Sequence, residues 1–150
     1  MTADRIARQV EISVLVHATE DRSKVLKAVR RLFPQEMDLP VYKEEKLDGY
    51  YGDPIRSFYF NIKNRRPATD IFNHILDSLS SLDYVTLLDE LAPRMDDTKN
   101  FYLRFSKQKA YQGKVALETH DPIKVKVSLQ VPHKADPVEV LREYMEERRG

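Results

Sequence analysis

The sequence predicts an α+β fold in which helices cover one face of a single, mainly antiparallel sheet. Apolar and polar residues alternate as in strands at 9–18, 57–63, 101–105 and 123–131. Segments with apolar residues at helical spacing lie between these stretches. The short links between most strands favour hairpins and therefore antiparallel neighbours. The predicted order is β-α-β-β-α-α-β-β-β-α, and we expect a single domain over residues 1–150.

The N-terminal part of the chain predicts a strand followed by a helix. The strand covers residues 9–18, with Val10, Ile12, Val14 and Val16 on its apolar face. Thr19 is suited to cap the N-terminus of the helix, because its hydroxyl can accept a bond from the first free amide groups. The apolar stripe of this helix continues to Phe33, and Pro34 ends it.

The middle of the chain predicts a long hairpin and then two helices. Residues 41–47 and 57–63 read as paired strands, joined by a turn at 48–54 that contains two glycines and a proline. Pro67 can occupy the first position of the next helix. Residues 82–91 then continue as another helix, whose inward residues are expected to be Val85, Leu88 and Leu91.

The stretch 100–117 combines strand alternation with a tight turn. Ser106 follows the alternating part and can cap a short helical turn. Gly113 can adopt a positive φ and reverse the chain. A second short strand is expected at 114–117.

The C-terminal part predicts one more strand and one more helix. Residues 123–131 show the most regular alternation in the chain, with a β-branched residue or leucine at every second position. Asp136 can cap the last helix, which Pro137 can start and which is expected to run to about Arg149.

The composition favours a globular protein of the cytoplasm. Hydrophobic residues make up 41% of the chain, and there is no cysteine, so disulfides and thiolate metal sites are excluded. The N-terminus has no apolar core of signal-peptide length, and no apolar run is long enough to span a membrane. The net charge is +1, so a nucleic-acid function would have to depend on local clustering of charge.

The sequence lacks the patterns that usually indicate catalysis. There is no glycine-rich phosphate loop, nucleophile elbow or cysteine nucleophile. No two of the four histidines have ligand spacing on one element: they are His17, His74, His120 and His133. We therefore expect no enzymatic activity, no cofactor and no metal site.

Basic, aromatic and amide side chains concentrate between residues 98 and 117, a stretch without any acidic residue. RNA binding requires cations for phosphates and flat groups for unstacked bases. The outward strand positions add more cations, and Glu11 is the one carboxylate among them outside the second strand. The predicted contact residues are Tyr102, Arg104, Lys107, Gln108, Lys109, Tyr111, Lys114, Lys124, Lys126, Arg65 and Arg66.

Two structural interpretations of the same residues stay open. Lysines and arginines on an outer sheet face are also ordinary solubility residues. If Gln108 and Tyr111 point into the core, the motif is an architectural corner, and only its cations remain available for RNA.

Three segments, at 14–28, 49–55 and 101–114, resemble the archaeal predicted exosome-subunit family in sequence and order. In the last segment Leu-Arg, Lys-Gln, Ala-Tyr and Gly-Lys keep the spacing of the family, whereas Lys109 stands where alanine is expected. The resemblance implies a cytoplasmic, archaeal RNA-binding protein with a double-stranded-RNA-binding-domain-like fold, similar to the ribosomal protein that binds 5S rRNA. It supplies no catalytic residues.

These observations lead to two hypotheses of different classes. The first is an RNA-binding protein, an exosome-associated or RNA-processing accessory factor whose partners are structured, ribosomal or processing RNAs and the proteins of that machinery. The alternative is a homodimeric protein-interaction module without intrinsic RNA binding. In that case Tyr59, Tyr102 and the outer sheet face would be buried against a second copy.

Overall fold

Five strands form one antiparallel sheet: β1 (Ala7–Val16), β2 (Tyr42–Asp48), β3 (Pro54–Ile62), β4 (Asn100–Phe105) and β5 (Ile123–Leu129). Their spatial order is β2-β3-β1-β5-β4, so that β1 lies in the centre. The computed structural model describes residues 5–48 and 52–149. The strands β2 and β3 pair as the predicted hairpin, and residues 49–51 of its turn lie outside the described residues.

The helices of the described chain lie on one face of this sheet: α1 (Arg22–Arg30), α2 (Arg65–Ser78), α3 (Ser81–Asp89), α4 (Lys107–Tyr111) and α5 (Pro137–Arg149). The α+β prediction is thereby confirmed. The Thr69 hydroxyl fixes α2 to β1, since it accepts from the Ala7 amide at 3.1 Å and lies 3.2 Å from the Ala7 carbonyl oxygen. No helix within residues 5–48 and 52–149 is long and apolar enough to cross a membrane.

A single core cluster fills the space between the helices and the inner sheet face. The predicted apolar face of β1 is fully buried in it. Aromatic pairs link the layers: the ring centroids of Phe33 and Phe60 are 5.5 Å apart, and those of Phe72 and Phe101 are 6.2 Å apart. Because the helices all occupy this side, the opposite face of the sheet is left uncovered.

The helix α1 begins later than the sequence predicted. Asp21, and not Thr19, is its N-cap, and its carboxylate accepts from the Ser23 amide at 2.9 Å. Asp is at least as good a cap as Thr. The helix is regular only to Arg30, and a turn leads from there to Phe33.

The inward face of α3 also differs from the prediction. Val85 is 54% exposed, whereas Tyr84 and Leu87 are buried. The Tyr84 hydroxyl donates to the Met145 carbonyl of α5 at 2.8 Å. Burying this large ring with a satisfied hydroxyl turns the helix so that Val85 faces outward.

The predicted turn after β4 is present, but the second strand is reduced to one bridge. The Ser106 hydroxyl accepts from the Lys109 amide at 3.1 Å and so caps α4. Gly113 has a φ of 98°. Residues 114–117 then form a single antiparallel bridge, between Leu117 and Phe105. The edge of β4 is covered by backbone bonds from the Glu118 amide to the Arg104 carbonyl and from the Tyr102 amide to the Arg94 carbonyl.

Candidate nucleic-acid interface

The uncovered sheet face brings four of the predicted contact residues together. In the antiparallel ladder of β4 and β5, Tyr102 lies opposite Lys126, and Arg104 lies opposite Lys124. Directly opposed residues have Cβ atoms about 4.5–5.5 Å apart. The four side chains therefore form one compact group of three cations and an aromatic ring.

The neighbouring strands extend this group into a recess. In β1, Ser13 is opposite Lys124 on one side and Tyr59 on the other, and Glu11 is opposite Lys126. Ser13 is short and stands between two large side chains, which leaves a depression of about 210 Å³. We call this depression the outer recess; its lining includes Glu11, Ser13, Tyr59, Tyr102, Arg104, Lys124 and Lys126.

Both tyrosines of the outer recess are held by carboxylates of the protein. The Tyr59 hydroxyl donates to Glu11, and this bond raises the pKa of Tyr59 to about 12. The Tyr102 hydroxyl donates to Asp96 at 2.8 Å, which also raises its pKa. The hydroxyl groups are therefore occupied, and each ring is fixed in orientation.

The cations of the outer recess differ in how far they are already paired. The Lys126 ammonium lies 3.5 Å from Glu11. Arg104 and Lys124 are exposed, and their side chains have no ion-pair partner among the described residues. Two positive charges are thus left uncompensated at the surface next to the recess.

Lys107, in contrast, points into the protein. Its side chain is 10% exposed. Its ammonium group donates to the Leu15 carbonyl at 2.7 Å, to Glu20 at 3.0 Å and to Asp121 at 2.9 Å. These three acceptors use the whole donor capacity of the ammonium group, so the structure gives Lys107 the role of fixing α4 to the end of β1.

His17, Glu20 and Asp121 form the one group within the described parts of the chain whose geometry could hold a metal ion; their ligand atoms all lie within 4.8 Å of one another. The ammonium of Lys107 lies among the same carboxylates and supplies the positive charge that an ion would bring. Burial raises the pKa of Asp121, but hydrogen bonds from His17 and Lys107 outweigh burial and hold this pKa below its ordinary value. The geometry is explained by an internal ion-pair network.

Gln108 and Tyr111 do not point into the core, so that structural alternative is wrong. Gln108 is exposed and Tyr111 is 42% exposed. Both line a groove of about 560 Å³ between α1 and α4, which we call the α1–α4 groove. The groove is also lined by four carboxylates, those of Glu20, Asp21, Glu118 and Asp121. Two lysines, Lys24 and Lys107, also line the groove, but the carboxylates outnumber them, so the lining is negative on balance and disfavours a phosphate group there.

The remaining predicted cations lie apart from both depressions. Lys109 and Lys114 are exposed on and after α4, and neither lines the α1–α4 groove or the outer recess. Arg65 and Arg66 are exposed in the first turn of α2. The structure therefore distributes the predicted residues over separate surfaces.

The contact between α1 and the turn at α4 was not predicted from the sequence. The Lys24 ammonium lies 5.7 Å from the centroid of the Tyr111 ring, within cation–π range. The Arg31 guanidinium lies beside Gly113. Lys24 and Arg31 are seven residues apart, which is two turns of a helix, but no pattern in the sequence indicates that they meet α4.

The fold and this face define a small α+β protein with one uncovered sheet face that carries tyrosines and cations. A family model described as RNA binding matches residues 9–129. The chain therefore belongs to this RNA-binding family, which supports a general role in binding RNA.

The chain is similar to several proteins of archaea. The chain is 35% identical to the RNA-binding protein PAB1135 of Pyrococcus abyssi over 93% of this chain and 94% of that protein. It is 39% identical to the uncharacterized protein MJ0213 of Methanocaldococcus jannaschii, over 76% and 78%. The crystal structure of protein AF2318 from Archaeoglobus fulgidus superposes with a TM-score of 0.77 at 32% identity, and the match covers 92% of this chain and 99% of that one.

Proposed function

We propose that the protein binds RNA through the outer recess and the cations around it, and that it does so without catalysing a reaction. The observation that carries the proposal is the register of β4 and β5, which places Tyr102, Arg104, Lys124 and Lys126 side by side on an uncovered face. Membership of an RNA-binding family supports the ligand class.

The cations and tyrosines of the outer recess can each contribute favourable free energy to RNA binding. Arg104 and Lys124 are free to pair with phosphates, which releases counterions from the RNA and gives salt-dependent affinity. A tyrosine ring that stacks on an unpaired base contributes about 1–3 kcal/mol. Since the hydroxyls of Tyr59 and Tyr102 are bonded to carboxylates, ordering of these side chains costs little on binding.

The α4 side is less suited to contact the RNA backbone. Lys107 is held by three acceptors. The groove beside Gln108 and Tyr111 carries four carboxylates. We therefore expect Lys109 and Lys114 to attract RNA only through long-range electrostatics, without direct contact in the outer recess.

Two triple variants test the location of the site. Replacing Arg104, Lys124 and Lys126 by alanine should weaken RNA binding strongly. It should also make the negative slope of log K against log salt concentration shallower by about 2, as three lost phosphate contacts would. Fluorescence anisotropy with a labelled RNA at several salt concentrations measures both quantities.

The matched control removes the same charge elsewhere. Replacing Lys27, Lys109 and Lys114 by alanine changes the net charge equally, but these exposed residues lie outside the outer recess. The control should keep most of the affinity and most of the slope. Equal losses in both variants would show that net charge, and not this face, governs binding.

We further propose that the protein acts in the cytoplasm as an accessory factor of RNA processing or degradation, associated with an exosome. The support is the RNA-binding family and the resemblance of residues 14–28, 49–55 and 101–114 to the predicted exosome-subunit family. Affinity purification of the tagged protein from its host should recover exosome subunits. If RNase treatment abolishes the recovery of exosome subunits, the protein and the exosome are connected only through RNA.

A homodimer is the second candidate, favoured by apolar exposure on the same face. Leu15 is 41% exposed and Tyr102 is 39% exposed. Sedimentation that shows a stable dimer protecting Tyr102, together with no RNA binding at low salt, would replace the first proposal by this one.

A further inference from the structure

The outer recess contains one group that phosphate binding does not explain, the carboxylate of Glu11. This side chain is 23% exposed, so a ligand in the recess can reach it. One oxygen accepts from Tyr59, and the other lies 3.5 Å from the Lys126 ammonium. A carboxylate offers about four lone-pair sites. Acceptor capacity therefore remains on a face that otherwise offers positive charge.

The size of the recess restricts what can enter. Its volume of about 210 Å³ lies below the ~300–1,000 Å³ of pockets that enclose a whole small ligand. It suits a single flat ring system. Tyr59 and Tyr102 lie on opposite sides of the recess, three strand spacings or roughly 14 Å apart. The cations Arg104, Lys124 and Lys126 also line it.

We infer that the outer recess takes one unpaired base of an RNA strand and that Glu11 makes it prefer guanine. This inference rests on the proposed function and names the ligand of the same site. The Watson–Crick edge of guanine presents two adjacent N–H donors, N1–H and the exocyclic amino group, which match the two oxygens of a carboxylate. Adenine and cytosine present a donor beside an acceptor, and uracil presents a donor between two acceptors.

The base must be unpaired because this edge is engaged in any duplex. The deep major groove of an A-form helix is also too narrow for side chains to read. A base turned out of a loop or a single strand can stack on a tyrosine and present its edge to Glu11. The neighbouring cations then hold the phosphates on either side of it.

The inference can be tested first on the RNA, with the unaltered protein. A hairpin RNA carries a single variable position in its loop, occupied by guanosine, inosine, adenosine or uridine. Guanosine should bind about tenfold more tightly than uridine. Inosine lacks the exocyclic amino group and should lose most of that preference. Equal affinities for guanosine and inosine, or equal binding of a fully paired duplex, would overturn the inference.

The second arm uses Glu11→Gln, which keeps the shape and an acceptor for Tyr59. The ratio of its affinities for the guanosine and inosine RNAs should fall to about one, whatever its overall affinity. The matched control is Lys124→Ala, which should weaken binding to all four RNAs by a similar factor. If Glu11→Gln keeps the preference, the inference fails although the proposed function stands. If the Arg104, Lys124 and Lys126 triple variant binds normally, the proposed function itself fails.

Discussion

Lys107 shows how a single residue can fit a binding motif and still serve the fold. Its sequence neighbours are basic, aromatic and amide residues, but its ammonium group is bonded to Glu20 and Asp121. These partners are 87 and 14 residues away along the chain. Local composition therefore indicated a free cation, and only the tertiary arrangement reveals its acceptors.

We expect Lys107→Met to destabilise the protein by about 2 kcal/mol, because it removes hydrogen bonds from a charged donor to partly buried acceptors. Urea unfolding measures the free energy of unfolding. The affinity for RNA should change little. The control is Lys109→Met, two residues further along α4 and exposed, which should leave stability within about 0.5 kcal/mol. A loss of RNA affinity in Lys107→Met without a loss of stability would contradict this assignment.

At the scale of elements, an ion-pair network joins α1 to the hairpin of β2 and β3. Arg22 donates from Nε to both oxygens of Glu44, at 3.1 and 3.0 Å. Arg56 of β3 donates to Glu44 at 3.0 Å. The hydrogen bond from Arg22, helped by that from Arg56, lowers the pKa of Glu44 from 4.5 to about 2.

The network predicts how stability depends on pH. Since the pKa of Glu44 is lowered by folding, its contribution is fully present above pH 4.5 and is lost as the pH falls towards 2. The difference in Tm between the wild type and Glu44→Gln should therefore shrink over this range. Glu45→Gln alters an exposed neighbour on the same strand and should show no such convergence. A difference that stays constant down to pH 2 would refute the prediction.

The sequence predicted those elements whose signals are local. The cap at Ser106 and the reversal at Gly113 were predicted from residue chemistry, and the structure has both. Residues 114–117 make one bridge to β4 and no longer ladder, because other segments occupy the rest of that edge. The Tyr102 amide donates to the Arg94 carbonyl, and the Asp96 amide donates to the Asn100 carbonyl. The orientation of α3 depends on the burial of the Tyr84 ring and on its bond to Met145 of α5. Met145 is distant in the sequence, so the residues of α3 alone do not indicate this orientation.

At the scale of the molecule, the candidate site was predictable in part. The alternation of apolar and polar residues predicted outward positions for Tyr102, Arg104, Lys124 and Lys126. The register of β4 and β5 then places these four side chains next to one another. Alternation alone does not reveal which strands are neighbours, so it could not place Ser13 and Tyr59 beside the same group. It also could not separate this face from the acid-lined α1–α4 groove, whose residues come from distant parts of the chain.

The continuous core leads to a prediction for the whole chain. Residues from β1, α2, β4, β5 and α5 belong to one buried cluster, so the predicted single domain should unfold in one cooperative step. Urea transitions followed by far-ultraviolet circular dichroism and by tyrosine fluorescence should coincide. Two separated midpoints would show that part of the chain folds independently.

The covered edge of β4 has a further consequence for assembly. The segments that precede and follow β4 in the chain both lie along its outer edge. They bond to the Tyr102 amide and the Arg104 carbonyl, two of the groups that another strand would need. A sheet that extends itself by strand addition must use unpaired backbone groups. Any growth of the sheet by a second copy is therefore directed to the opposite margin, at the charged strand β2, and the tyrosine and arginine of β4 stay accessible in such an assembly.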